Sequence, residues 1–124
     1  MKTLNAIKAD LNQHYGSMTF TRHAIVKNCI ASEGAMDYFQ QAECFWLWDI
    51  IATECHMTIN KLEPDVHYFE IVSKDGQADL TLVNYEDKVL FSRHIGFTTH
   101  PEGKMELVVG WDGSRTTICL HSEN

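Results

Sequence analysis

The sequence has no apolar run long enough to cross a bilayer: its longest, Ala42 to Ala52, falls well short of the about 20 residues a membrane helix needs. No membrane association is expected. Its 4 cysteines and 7 histidines show none of the C-x-x-C, H-x-x-H or H-E-x-x-H spacings that announce a compact metal site. Cys29, Cys44, Cys55 and Cys119 stand in apolar company and read as buried reduced thiols, with convergence of Cys55-His56 and Cys119-x-His121 in space left open. No metal and no cofactor is expected. G-x-S-x-G, G-x-G-x-x-G and P-loop patterns are also missing, so neither an acyl-transfer nucleophile nor a phosphate cradle is evident. A Cys with His partners brought together only by the fold stays open as a catalytic pair.

Basic residues are scarce: 10 Lys and Arg stand against 17 Asp and Glu, for a net charge of -7. The deficit has a place. Residues 1 to 32 carry +3, residues 33 to 79 carry -8, and the remainder carries -2. Direct binding to a phosphate backbone needs clustered Lys and Arg, so nucleic acid is excluded as a direct partner. A basic protein surface is the expected partner instead, with Glu33, Asp37, Glu43, Glu54, Glu63 and Asp65 as the candidate partner-binding residues. The competing reading treats these acids as solvated faces that keep the protein soluble. The opening Met1-Lys2-Thr3-Leu4-Asn5 lacks the continuous apolar segment of a secretory signal, and the expected location is cytoplasmic.

At 124 residues the chain fits a single domain, 1–124, with one core. Thr3 caps a predicted helix to about Gln13, in which Leu4, Ile7 and Leu11 form one apolar stripe. Tyr15-Gly16-Ser17 ends it. Met18, Phe20 and Arg22 alternate with Thr19 and Thr21 as a short strand, Asn28 to Ala31 reads as a second extended piece, and Ser32-Glu33 opens another helix. That helix runs into, or bends near Ala42 toward, a buried helix from Glu43 to about His56. After Pro64 the alternation predicts strands near 66–73, 78–84, 88–95, 104–111 and 115–121, separated by Gly-, Asn- and Asp-bearing turns. The expected fold is α+β, with N-terminal helices packed on one face of a mainly antiparallel, four- to five-stranded meander sheet. An exposed sheet face would allow a homodimer.

Asp49 is the one carboxylate inside Ala42-Glu43-Cys44-Phe45-Trp46-Leu47-Trp48-Asp49-Ile50-Ile51-Ala52, and a carboxylate among such neighbours needs a partner, a proton or a cleft. Its helical neighbours at three and four residues offer none. Arg22-His23 is the basic pair able to reach it, which makes Asp49, Arg22 and His23 the candidate catalytic or ligand-gripping set, against the plainer reading of a structural ion pair.

The chain resembles a family of small bacterial proteins of unknown function often met on plasmids, phages and other mobile elements. The resemblance rests on Leu11 through Tyr15-Gly16-Ser17, Arg22-His23, Glu33-Gly34, Phe45-Trp46-Leu47-x-Asp49-x-Ile51-Ala52, and Phe97-Thr98 with Pro101. It departs at Glu43, where a Gly is usual, and at Tyr38, where the aromatic falls one position earlier. The resemblance implies an accessory protein that acts by binding, one concrete version being inhibition of a host defence nuclease in the manner of an anti-CRISPR protein. The alternative is a small enzyme or ligand-binding protein built around Asp49, Arg22 and His23.

Overall fold

The computed structural model describes residues 2–14 and 19–123. Helix α1 (Leu4–Leu11) starts where the Thr3 hydroxyl accepts the Ala6 N–H at 3.2 Å, and it buries the Leu4, Ile7 and Leu11 stripe. The predicted terminator Tyr15-Gly16-Ser17 and Met18 lie outside the described residues. Strands β1 (Phe20–Arg22) and β2 (Cys29–Ser32) follow, and Ser32 caps helix α2 (Glu33–Gln41) by accepting the Ala35 N–H at 3.0 Å. Both caps stand where the sequence puts them.

Helix α2 stops at Ala42 in a Schellman turn: the Cys44 N–H reaches Phe39 O at 2.8 Å and the Glu43 N–H reaches Gln40 O at 3.2 Å. Such a turn needs a left-handed residue, and Glu43 holds φ +52°. Glycine occupies that conformation without the Cβ penalty, which explains why it suits this position better than Glu. Helix α3 (Phe45–Ile50) then continues through one wide π turn (Ile51–Cys55) into α4 (His56–Ile59). The expectation of a buried helix whose one polar exception is Asp49 is corrected here. Leu47, Trp48, Ile51, Ala52, Cys55 and Ile59 face the core, while Phe45, Asp49, Thr53 and Met57, spaced four apart, form an exposed stripe.

The remaining strands are β3 (Asp65–Lys74), β4 (Gln77–Val83), β5 (Val89–Ile95), β6 (Gly103–Trp111) and β7 (Thr116–Cys119), closed by a 3-10 turn at His121–Glu123. The α+β class holds, but the four- to five-stranded meander does not. Among the described residues seven strands form one mixed sheet in the order β1-β2-β7-β6-β3-β4-β5, with β2 parallel to β7. Only β3-β4-β5 is a meander; β6 crosses over to the far side of β3, so these four strands take the Greek-key order. Periodicity marks each strand but carries no information on which distant strand it will join.

One face of the sheet meets the core. Along β3, His67, Phe69, Ile71 and Ser73 are buried, while Val66, Tyr68, Glu70 and Val72 on the other face are half-buried or exposed. Register places Phe69 between Leu82 and Leu107, and Ile71 between Leu80 and Met105. Ile7, Phe39, Leu47, Ile51 and Ile59 from the helical segments join the same apolar cluster.

Candidate functional site

His23, just past β1, is buried, and its ring joins three elements. Its Nδ1 accepts the backbone N–H groups of Ile25 and Val26, each at 3.1 Å. An accepting Nδ1 leaves the ring proton on Nε2, which donates to Asp49 Oδ1 at 2.9 Å. The indole of Trp48 meets the ring edge-on at 5.0 Å. The structure therefore unites His23 and Asp49 but leaves out Arg22, whose exposed side chain leaves β1 toward the sheet face away from the helices. Both ring nitrogens of His23 are engaged, and Asp49 is 72 % exposed rather than set in a pocket. This is a tie between the β1–β2 loop and α3. Asp49→Asn should leave the protein folded within about 1 kcal/mol, as for an exposed pair. His23→Ala should cost about 2–4 kcal/mol, because two backbone N–H groups lose their acceptor and a packed ring is removed. Urea melts of both variants check this, and an Asp49→Asn protein as unstable as His23→Ala would refute the tie.

The thiols are not poised for chemistry. All four are buried; burial raises the Cys29 and Cys44 thiols to about 12 and the Cys119 thiol to about 11, and pushes the Cys55 thiol up as well. Among the described residues no group of three or more His, Cys, Asp or Glu side chains is placed to hold a metal ion. Three histidines besides His23 are also buried. His100 accepts the Tyr38 hydroxyl at Nε2 (2.7 Å) and donates from Nδ1 to Pro101 O (2.8 Å); His56 Nδ1 lies 2.7 Å from the Thr116 hydroxyl; His67 Nδ1 has no partner among the described residues. Burial lowers the pKa of all three below the ordinary histidine value. Sequence reasoning missed the Tyr38–His100 pair, since residues 62 apart carry no local signal of contact. Thr98 and Pro101 of the Phe97-Thr98…Pro101 motif, with Ser73, position it: Thr98 Oγ1 accepts the His100 N–H at 3.0 Å, and Ser73 donates to His100 O at 3.0 Å, while Phe97 stands exposed.

The six candidate acids do not gather on one face. Glu54 is paired with Arg93 at 2.8 Å, Asp65 accepts its neighbour Val66 N–H at 2.7 Å, and Glu43 and Glu63 stand exposed on separate turns. Glu33 and Asp37, one turn apart on α2, do converge. They line a cleft of about 450 Å3 between α2 and β1, with Met36, Phe45 and Thr21 among its other walls. Asp37 is held there by His14 at 2.9 Å and by Gln41 at 3.1 Å. The described lining contains no Lys or Arg.

At the closed end of α2, Glu123 reaches back over the first turn. Its carboxylate accepts the Ser32 hydroxyl at 2.5 Å, the Leu120 N–H at 3.0 Å and the Gly34 N–H at 3.1 Å. Gly34 makes room for it: a Cβ there would lie 2.6 Å from Glu123 Oε1.

No curated protein matches this chain. Its fold is similar to that of a solved structure, a protein of unknown function from Enterococcus faecalis, at 21% identity and a TM-score of 0.53, covering 86% of this chain and 98% of that one. The profile of one family matches residues 5–124, nearly the whole length. The chain belongs to DUF6876, a family of unknown function.

Proposed function

We propose that this protein works by binding a basic protein surface through carboxylates of its acidic middle segment. The observation that carries the reading is the α2 cleft, where Glu33 and Asp37 face an opening whose described walls hold no Lys or Arg. Two carboxylates in a cleft without Lys or Arg, only Asp37 of them bonded to a His (His14), make a negative potential that attracts Lys- and Arg-rich partners and repels nucleic acid. A specific form of this role is an accessory protein of a mobile element that occupies the basic channel of a host defence nuclease, as an anti-CRISPR protein does, and so competes with the nucleic acid for it. The reading as a small enzyme at Asp49, Arg22 and His23 lacks comparable support, because Arg22 stands apart and His23 has both nitrogens engaged.

Binding of this kind must respond to salt. Raising salt from about 0.1 M to about 1 M shortens the screening length from about 10 Å to about 3 Å, and the affinity for a captured basic partner should fall at least about tenfold. Neutralising Glu33, Asp37, Glu43 and Glu63 together should lower it similarly at low salt. A partner held equally tightly at both salt concentrations, or by the neutralised protein, would oppose the proposal.

A further inference from the structure

The cleft beside α2 lies under a sheet edge. Among the described residues β1 has β2 as its one strand neighbour, and the bonds flanking the strand fix which of its backbone groups point there: Thr19 O accepts the Glu33 N–H at 3.1 Å, and the His23 N–H donates to Cys29 O at 2.9 Å. Backbone groups alternate in direction along an antiparallel strand, so those of Phe20 and Arg22 point outward, along the free edge. Thr21 sends its side chain into the cleft, while Phe20, 45% exposed, sends its ring to the opposite face. One edge thus offers ladder hydrogen bonds, a carboxylate-lined hollow on one side and an aromatic ring on the other.

We propose that this edge and cleft are the docking groove for an extended segment of a partner protein, with Lys or Arg at alternate positions and apolar residues between them. The inference rests on the basic-partner reading above and narrows it to one place and one conformation. An added strand alternates its side chains between the two faces, which matches the two sides of the groove. Side chains entering the cleft meet Glu33 and Asp37, and the aliphatic stem of a Lys or Arg finds Met36 and the half-exposed Phe45 to lie against. Side chains on the other face lie beside Phe20. With three residues, β1 supplies few ladder bonds, so the charged contacts in the cleft must carry much of the affinity. The sheet's other edge is less suited to adding a strand: β5 carries Arg93, tied to Glu54, and His94, tied to Asp79 at 2.7 Å.

The test uses the full chain and a capped octapeptide of alternating Lys and Val as the probe, followed by fluorescence polarisation. A block peptide of the same composition should bind at least about tenfold more weakly, and combined Glu33→Gln and Asp37→Asn should weaken the alternating peptide by about the same factor. N-methylation separates strand pairing from charge attraction. Methylating the valine nitrogens or the lysine nitrogens removes donors on opposite edges of the peptide, so one of the two peptides should lose binding and the other keep it. Amide exchange at Phe20 and Arg22 should slow in the complex. Equal binding of the block peptide, an equal effect of both methylations, or no measurable binding would overturn the groove. If a basic partner instead loses affinity on neutralising Glu54, Glu63 and Asp65 but not Glu33 and Asp37, the groove is refuted while the wider reading stands.

Discussion

Acidification from pH 7.5 to 5.0 should lower the stability of this protein through three buried histidines. The agents are His56, His67 and His100, each buried and each with its pKa lowered from 6.5 by loss of hydration. The unfolded chain takes up these protons near pH 6.5, whereas the folded chain resists until the pH is lower. Stability is therefore full above about 6.5 and is lost as the pH falls below it, by up to about 1.4 kcal/mol per pH unit for each proton withheld. Asp112 acts in a separate window. Hydrogen bonds from the Ser114 and Arg115 backbone hold its pKa below 3.8, so its contribution is present above that value and is lost only in stronger acid. Urea unfolding at a series of pH values measures the slope directly. His67→Leu is the informative variant, because the side chain already has a nitrogen without a partner among the described residues, and the change should flatten the slope. A stability that stays level from pH 7.5 to 5.5 would contradict the assignment.

The second large effect concerns Glu123. Glu123→Ala should cost about 2–4 kcal/mol, since it removes the acceptor for the Gly34 and Leu120 N–H groups and for the Ser32 hydroxyl at once. The same contact reverses a general rule at Gly34. In an ordinary helix Gly→Ala stabilises by about 1 kcal/mol, but here the new methyl group would meet Glu123 Oε1 and Leu120 Cδ1, each 2.6 Å away. Gly34→Ala should therefore destabilise by about 1–3 kcal/mol. In a Glu123→Ala background much of that penalty should vanish, and a double-mutant cycle by thermal or urea melts reads the coupling. Additive costs would mean that the carboxylate does not hold the helix end.

Local chemistry made the elements legible. Thr3 and Ser32 are caps, the Leu4, Ile7 and Leu11 stripe is a helix face, and β3 to β7 fall close to the alternating runs. What escaped is everything that depends on distance along the chain. Nothing near Gly103 announces that the strand it opens will pass β5 and pair with β3, and nothing near Cys29 announces a parallel partner at Thr116. At the candidate site, the Arg22-His23 pair was readable as the source of a partner for Asp49, but that His23 alone reaches it was not. The burial of Asp49 was misread for a geometric reason: a segment can be apolar along most of its length and still turn every fourth residue to water. Tyr38 with His100, and Ser32 with Glu123, remained invisible because each pair is assembled only by the finished sheet.

The bond between Ser32 and Glu123 spans 91 residues, and the parallel pairing of β2 with β7 spans nearly as many. Closing so long a loop must precede any reward from it, which slows the folding of domains dominated by distant contacts. During synthesis the consequence is an order of events. The first strands leave the ribosome early but have no central neighbour to pair with, and α2 lacks the group that satisfies its first turn. Until β7 and the turn after it emerge, the apolar β2 edge stays open, making the interval before completion the time when the nascent chain is most exposed to misassociation.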